Sequence, residues 1–234
     1  MSAGFARART AEQRSQRRAE ILAVAAAMLS DTTRVEELSL NELARRVGLA
    51  KSNVLRYFET REAVLLALLE QQYDDWLDEL ATALGDTSGH TSGDTDPIEL
   101  VANAVARTAV DRSVLCELIA TSGTVLEHNV SGPVAAAYKQ GAFRQALRLT
   151  ELIAAVIGDL DDPSRLAIAG AVNLGLGGVW GMCRPSAGML EAYREHPELA
   201  AMQLDFRTAL REFVATVLTG LAHRRVADIR LSHD

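Results

Sequence analysis

The chain has 234 residues, 48% of them apolar, and a formal net charge of −7. That length accommodates a small domain plus a larger one, and the apolar share excludes a disordered chain. No apolar run reaches the roughly 20 residues of a membrane helix, no apolar core and cleavage site follow the Arg-rich start, and Cys116 and Cys183 give neither a disulfide framework nor a metal spacing. The expectation is a cytoplasmic protein with no cofactor, no metal and no membrane partner.

Alanine and leucine dominate and β-branched runs at period two are rare, so the expected class is all-α. Residues 1–9 read as a flexible arm carrying Arg7 and Arg9. Thr10 with Gln13 makes a capping-box pattern that starts helix 1 near Ala11, with Ile21, Ala25, Met28 and Leu29 as its buried stripe. Ser39 with Glu42 makes a second capping box and opens helix 2, which buries Leu40, Leu43, Ala44 and Val47. Gly48 ends it where a left-handed residue is wanted. Helix 3 covers Lys51 to Phe58. Thr60 caps helix 4, which runs to about Leu84.

Residues 85–96 are polar, glycine-rich and aperiodic, hence a mobile loop. Asp96-Pro97 restarts a helix, with proline at the first helical position. Further helices are expected over roughly 97–110, 112–128, 133–157, 163–183 and 197–224, with a short one at 186–194. No internal repeat is visible.

The segment Leu38 to Leu69 is the most informative. A short helix, a glycine turn, a second short helix and a long helix outline a helix-turn-helix DNA reader. Val54 and Phe58, four apart, supply the packed side of its second helix. Lys51, Ser52, Asn53, Arg56 and Tyr57 are left for the major groove, where Lys donates to guanine and Asn pairs with adenine. Arg61, in the first turn of helix 4, suits a phosphate. The charge distribution agrees. Residues 1–62 hold 11 Lys and Arg against 8 Asp and Glu, and the remainder 13 against 23. A basic end on an acidic body orients a molecule in the field of DNA. Arg14, Arg17 and Arg18, with the arm, are candidates for phosphate contacts, and Arg45 and Arg46 for a solvated or phosphate-facing role.

The run Gly48-Leu49-Ala50-Lys51-Ser52-Asn53-Val54-Leu55-Arg56-Tyr57-Phe58-Glu59-Thr60-Arg61-Glu62 resembles the N-terminal domain of the TetR family of bacterial transcriptional regulators. The likeness covers about residues 12–70, and spacing, turn glycine, Tyr-Phe pair and helix 4 start agree together. Three positions depart from the family pattern. Leu55 replaces a tyrosine that contacts DNA, and is left to touch a thymine methyl or to pack. Ala50 replaces a serine cap worth about 0.5–2 kcal/mol. Arg61 replaces a lysine and keeps its charge. By position, Asn41 matches a further DNA contact.

The resemblance implies a DNA-binding domain over 1–62 and a helical ligand-binding and dimerisation domain over 63–234. In the last helix Phe206, Leu210, Phe213, Val214, Val217 and Leu221 recur at helical spacing. In the one before, Ala167, Gly170, Ala171, Leu174, Gly177 and Gly178 gather around the axis. Small residues let helices approach closely, so these two helices are expected to pair with their copies in a homodimer on a palindromic operator, with half-sites ~34–36 Å apart. Candidates for an apolar effector pocket are Cys116, Ile119, Leu126, Tyr138, Phe143, Asn173, Trp180 and Met182, with His128 and Asn129 beside them.

The expected function is a repressor released by a small, mostly apolar effector. An activator, a regulator that senses redox state through Cys116 or Cys183, and a helical interaction protein without DNA are the alternatives. No nucleophile–base pair, metal spacing or cofactor loop points to an enzyme.

Overall fold

Helical periodicity resolves into helices joined by turns in the computed structural model, which describes residues 2–32, 34–88, 96–158 and 161–223. Among these, α1 spans Ser2–Thr32, α2 Leu40–Val47, α3 Lys51–Leu55, α4 Arg61–Ser88, α5 Pro97–Ala109 and α6 Ser113–Thr121. They are followed by α7 Gly132–Ile157, α8 Asp162–Leu174, α9 Trp180–Met182, α10 Ala187–Glu195 and α11 Phe206–His223. No strand occurs among the described residues. No single described helix is long and apolar enough to cross a membrane.

Several boundaries follow from side chains named above. Gly48 sits at φ +73° and closes α2. Thr60 Oγ1 accepts from the Ala63 amide at 3.0 Å and caps α4. Asp96 accepts from the Ile98 amide at 2.9 Å, ahead of Pro97, and caps α5. Other expectations need correction. Helical backbone begins at Ser2, so the stretch read as an arm belongs to α1; the side chains of Arg7 and Arg9 lie outside the described residues. Ser39 makes no side-chain cap on α2, and the Glu42 carboxylate, expected to reach back to the Ser39 amide, accepts from Arg45 and Arg46 instead. Helix 3 stops at Leu55 and continues as a turn to Tyr57. Helix α4 reaches Ser88, which shortens the expected loop; residues 89–95 lie outside the described residues.

Two expected helices are interrupted by wider, π-type turns, at Ser122–Leu126 after α6 and at Gly175–Val179 after α8. The expected helix over 197–224 is two elements, a 3-10 turn Pro197–Met202 and then α11.

Helix α4 is the axis of the molecule. It packs against α1 on the reader side and against α5, α6 and α7 in the body, while α11 lies across α5 and α8. Its fully buried Trp76 stands edge-on to Tyr73, with ring centroids 5.2 Å apart, and donates its indole N–H to Thr108 Oγ1 at 2.9 Å. Thr108→Val keeps the shape and strands that N–H. It is expected to cost about 1–3 kcal/mol of stability in urea unfolding. An unchanged midpoint would show that the indole finds another acceptor.

Two glycines permit close approaches. A Cβ on Gly177 would stand 3.1 Å from the Ala120 backbone, so a side chain there would push α6 and the turn after α8 apart by a few tenths of an ångström. A Cβ on Gly175 would stand 2.9 Å from Phe213 Cδ1.

Candidate nucleic-acid interface and ligand cleft

The reader presents one polar face. Val54 and Phe58 are buried beneath α3, and Lys51, Ser52, Asn53 and Arg56 are exposed above it. Tyr57 is half-buried and Leu55 lies exposed at the rim. Arg18 of α1 fixes the far end of this unit. Its guanidinium donates to the Tyr57 carbonyl at 2.7 Å and stacks 4.1 Å above the Phe58 ring. Burial pushes its pKa down, and its role is structural. Arg14 and Arg17 instead flank a groove between α1 and α3 that Asn53, Arg56 and Tyr57 also line. Asn41 is exposed at the start of α2. Next to it, hydrogen bonds from Arg45 and then Arg46 pull the Glu42 carboxyl down to about 2. This cluster places a carboxylate between the two arginines on the α2 surface.

Arg61, expected to take a phosphate, is engaged within the protein. Its Nε donates to the Leu38 carbonyl at 2.6 Å, Nη2 donates to the Val35 carbonyl, and Nη1 meets Glu62 at 3.1 Å. The turn before α2 leaves carbonyls that need donors, and Arg61 supplies them. Arg61→Ala is expected to destabilise the chain by about 1–3 kcal/mol through those orphaned carbonyls. Urea unfolding tests this; weaker DNA binding at unchanged stability would restore the phosphate role.

A second site opens in the body, a cleft of 570 Å³ between α4, α7, the turn after α6 and α8. Of the residues expected in a pocket, it brings together Ile119, Tyr138 and Asn173. It also takes Gly170, Leu174 and Gly177, which were expected in a dimer interface. Cys116 and Leu126 are instead fully buried in the core, and Phe143 and Met182 are 58% and 70% exposed. Trp180 packs edge-on to Phe206 at 5.1 Å, donates to Glu117 at 3.0 Å, and belongs to a different groove. His128 and Asn129 lie exposed on the surface. Sequence reading missed Leu69, Tyr73 and Gln145. Leu69 and Tyr73 stand four apart on α4, and that shared face was the available indication. Gln145 donates to the Glu70 carbonyl at 2.8 Å and to Asp74 at 2.9 Å.

Residues 70–225 match the family model described as the tetracyclin repressor-like C-terminal domain. The chain belongs to the TetR family. It is therefore placed among DNA-binding transcriptional regulators. No curated protein matches it. Among solved structures it is similar to the crystal structure of a TetR family transcriptional regulator, PfmR from Thermus thermophilus. That likeness has 17% identity, covers 86% of this chain and 98% of that one, and has a TM-score of 0.44.

For a TetR-family chain the faces of α8 and α11 carry the question of self-association, and several residues expected at that interface are buried within one protomer. Leu210 is 0% exposed and stands against Gly175, and Phe206 is buried against Trp180. Phe213 and Val217 are half-buried and share a crevice with Ile168 and Val172 of α8. The two helices thus pair mainly with each other and with α5 inside one protomer. Gly177 is buried against Ala120. Exposed on α8 are Leu166 at 62% and Leu174 at 72% with Gly170 between them, and on α7, which packs against α8, Phe143 and Leu147 are exposed.

Reader and body of this TetR-family chain also touch at one polar contact. Glu59, next after Phe58, accepts from the Ser131 amide at 2.6 Å and from its hydroxyl at 2.8 Å. Ser131 is the N-cap residue of α7, yet its hydroxyl makes no bond within that helix. A carboxylate of the reader thus serves as the cap of a helix that lines the cleft.

Proposed function

We propose that this chain is a repressor that binds a palindromic operator as a homodimer and is released by a small, mostly apolar effector. The reading is carried by one arrangement. An exposed Lys51-Ser52-Asn53-Arg56 face is locked from beneath, and the same unit is tied through Glu59 and Ser131 to a helix that walls an apolar cleft. Lys51, Ser52, Asn53, Arg56 and Tyr57 meet the major groove, with Leu55 and Asn41 at its margin. The reader extends to about residue 62 and the effector and dimer domain follows it. A second copy covers the stripe of Leu166, Leu174, Phe143 and Leu147, and this replaces the four-helix interface of α8 and α11.

Regulation follows from linkage. An effector that prefers the conformation with the wrong spacing between two recognition helices lowers operator affinity, with a coupling of typically 1–3 kcal/mol or ~5- to 150-fold. Burial pushes the Cys116 thiol up to about 12, so it is a poor nucleophile, and a cysteine-based redox switch gains no support there.

The test begins with DNA selected by the purified protein from its own genome. A two-fold symmetric site is expected, with half-sites about one turn apart and affinity falling steeply with salt. A reporter carrying that site over a promoter separates repression from activation. Salt-independent binding, or a monomer at micromolar concentration by sedimentation, would overturn the reading.

A further inference from the structure

The residues lining the cleft, within the described chain, include no Asp, Glu, Lys, Arg or His. Leu69, Ile119 and Leu174 give it apolar walls. An ionised guest would leave water with no counter-charge facing it, which burial strongly penalises. Acidic groups behind the wall are already engaged, Asp74 by Gln145 at 2.9 Å, Glu127 by Lys139 at 2.7 Å and Glu70 by Arg144 at 3.5 Å.

Most of the polar lining side chains are engaged as well. Ser122 donates to the Ile119 carbonyl at 2.9 Å and lies near the Tyr138 hydroxyl. Thr124 donates to the Thr121 carbonyl at 3.4 Å, and Asn173 to the Ala169 carbonyl at 2.9 Å. Tyr73 also lines the cleft, and its buried hydroxyl donates to no acceptor within hydrogen-bond geometry among the described residues; the Asn173 amide, itself a donor, is the polar side chain that acts on it. The edge-on contact with Trp76 fixes its ring. Burial pushes the phenol pKa up, so the hydroxyl remains a donor at neutral pH. A buried donor without an acceptor is rare and costly, and an incoming oxygen relieves it.

We infer that the effector is an uncharged, largely apolar molecule that places one oxygen acceptor, of carbonyl or ether type, on the Tyr73 hydroxyl. This rests on the cleft being the effector site. A cavity of 570 Å³ falls within the range of small-molecule sites.

Calorimetry of the full chain with methyl octanoate, octanoate and octylamine tests it. The ester is expected to bind at least about tenfold more tightly than either ion. Tyr73→Phe is expected to weaken the ester roughly 3- to 10-fold, the equivalent of one hydrogen bond, while leaving the melting temperature unchanged or higher. A second variant, Ala142→Phe, fills the cleft and is expected to abolish ester binding. Equal or tighter binding of an ion, undiminished ester binding by Tyr73→Phe, or no ester binding at all overturns the inference. Operator binding, measured on the same samples without probe, fails separately if the regulator reading is wrong. Release of the operator by octanoate with none by the ester would leave that reading standing and remove this one.

Discussion

The double variant Lys51→Ala, Arg56→Ala is expected to bind the selected operator at least about 100-fold more weakly than the parent chain and to lose most of its base preference. A good side-chain contact to a base edge is worth about 1–3 kcal/mol of discrimination, and in a dimer each substitution acts twice. Both side chains stand on the exposed face of α3, above the buried Val54 and Phe58 that hold the helix. Truncating them touches none of the packing, so the unfolding midpoint should move by no more than about 0.5 kcal/mol. Where one of them meets a phosphate, the slope of log affinity against log salt should fall by about 1 per lost contact. Fluorescence anisotropy over a salt series reads affinity and slope together. Affinity kept within tenfold would mean that another surface faces DNA.

That face was legible in sequence because its causes are local. Gly48 answers to a left-handed turn, Val54 and Phe58 to a helical period, and Thr60 to the first turn of the next helix. Each acts within four residues. The errors began where the deciding partner lay farther away. Arg61 has the charge for a phosphate, but its acceptors are the carbonyls of Leu38 and Val35, 23 and 26 residues earlier. Ser39 and Glu42 have the spacing of a capping box, yet Arg45 and Arg46 compete for the same carboxylate with full charges. A formal positive charge outcompetes a neutral backbone amide for a carboxylate.

In the body the apolar periodicity of α11 established that Leu210 and Phe206 are buried without saying against what. A stripe that packs inside one protomer and one that faces a second copy have the same composition. Gly177 showed the same ambiguity, since small residues serve close approach inside a protomer as well as between protomers. Tyr73 reads as one more apolar position on α4. Its orphaned hydroxyl becomes visible only when α7 and α8 are set around it. The π-type turns escaped because a single wider turn breaks neither composition nor the local spacing of apolar residues.

Glu59→Ala is expected to separate the reader from α7. In the intact chain the carboxylate accepts the Ser131 amide, one of the orphan donors at the start of α7, and it places negative charge where a helix N-terminus favours it. It does so from the residue that follows Phe58, so any displacement of the α7 terminus acts on the frame of the recognition helix. Linkage is reciprocal: if an effector in the cleft can loosen DNA binding by this route, DNA bound at α3 must alter the first turn of α7. Operator binding should therefore raise the hydrogen-exchange protection of amides 135–138 in the parent chain. The same DNA should leave them unchanged in Glu59→Ala, although operator affinity itself shifts by only a few fold. Glu59→Gln should fall between the two, since its amide oxygen still accepts one bond from Ser131. Adjacency alone does not establish coupling; a loss confined to these variants would. Operator-induced protection that survives in Glu59→Ala would assign the coupling to the packed contacts, those of α4 with α1 and α7 and that of α6 with α1, which also run between reader and cleft.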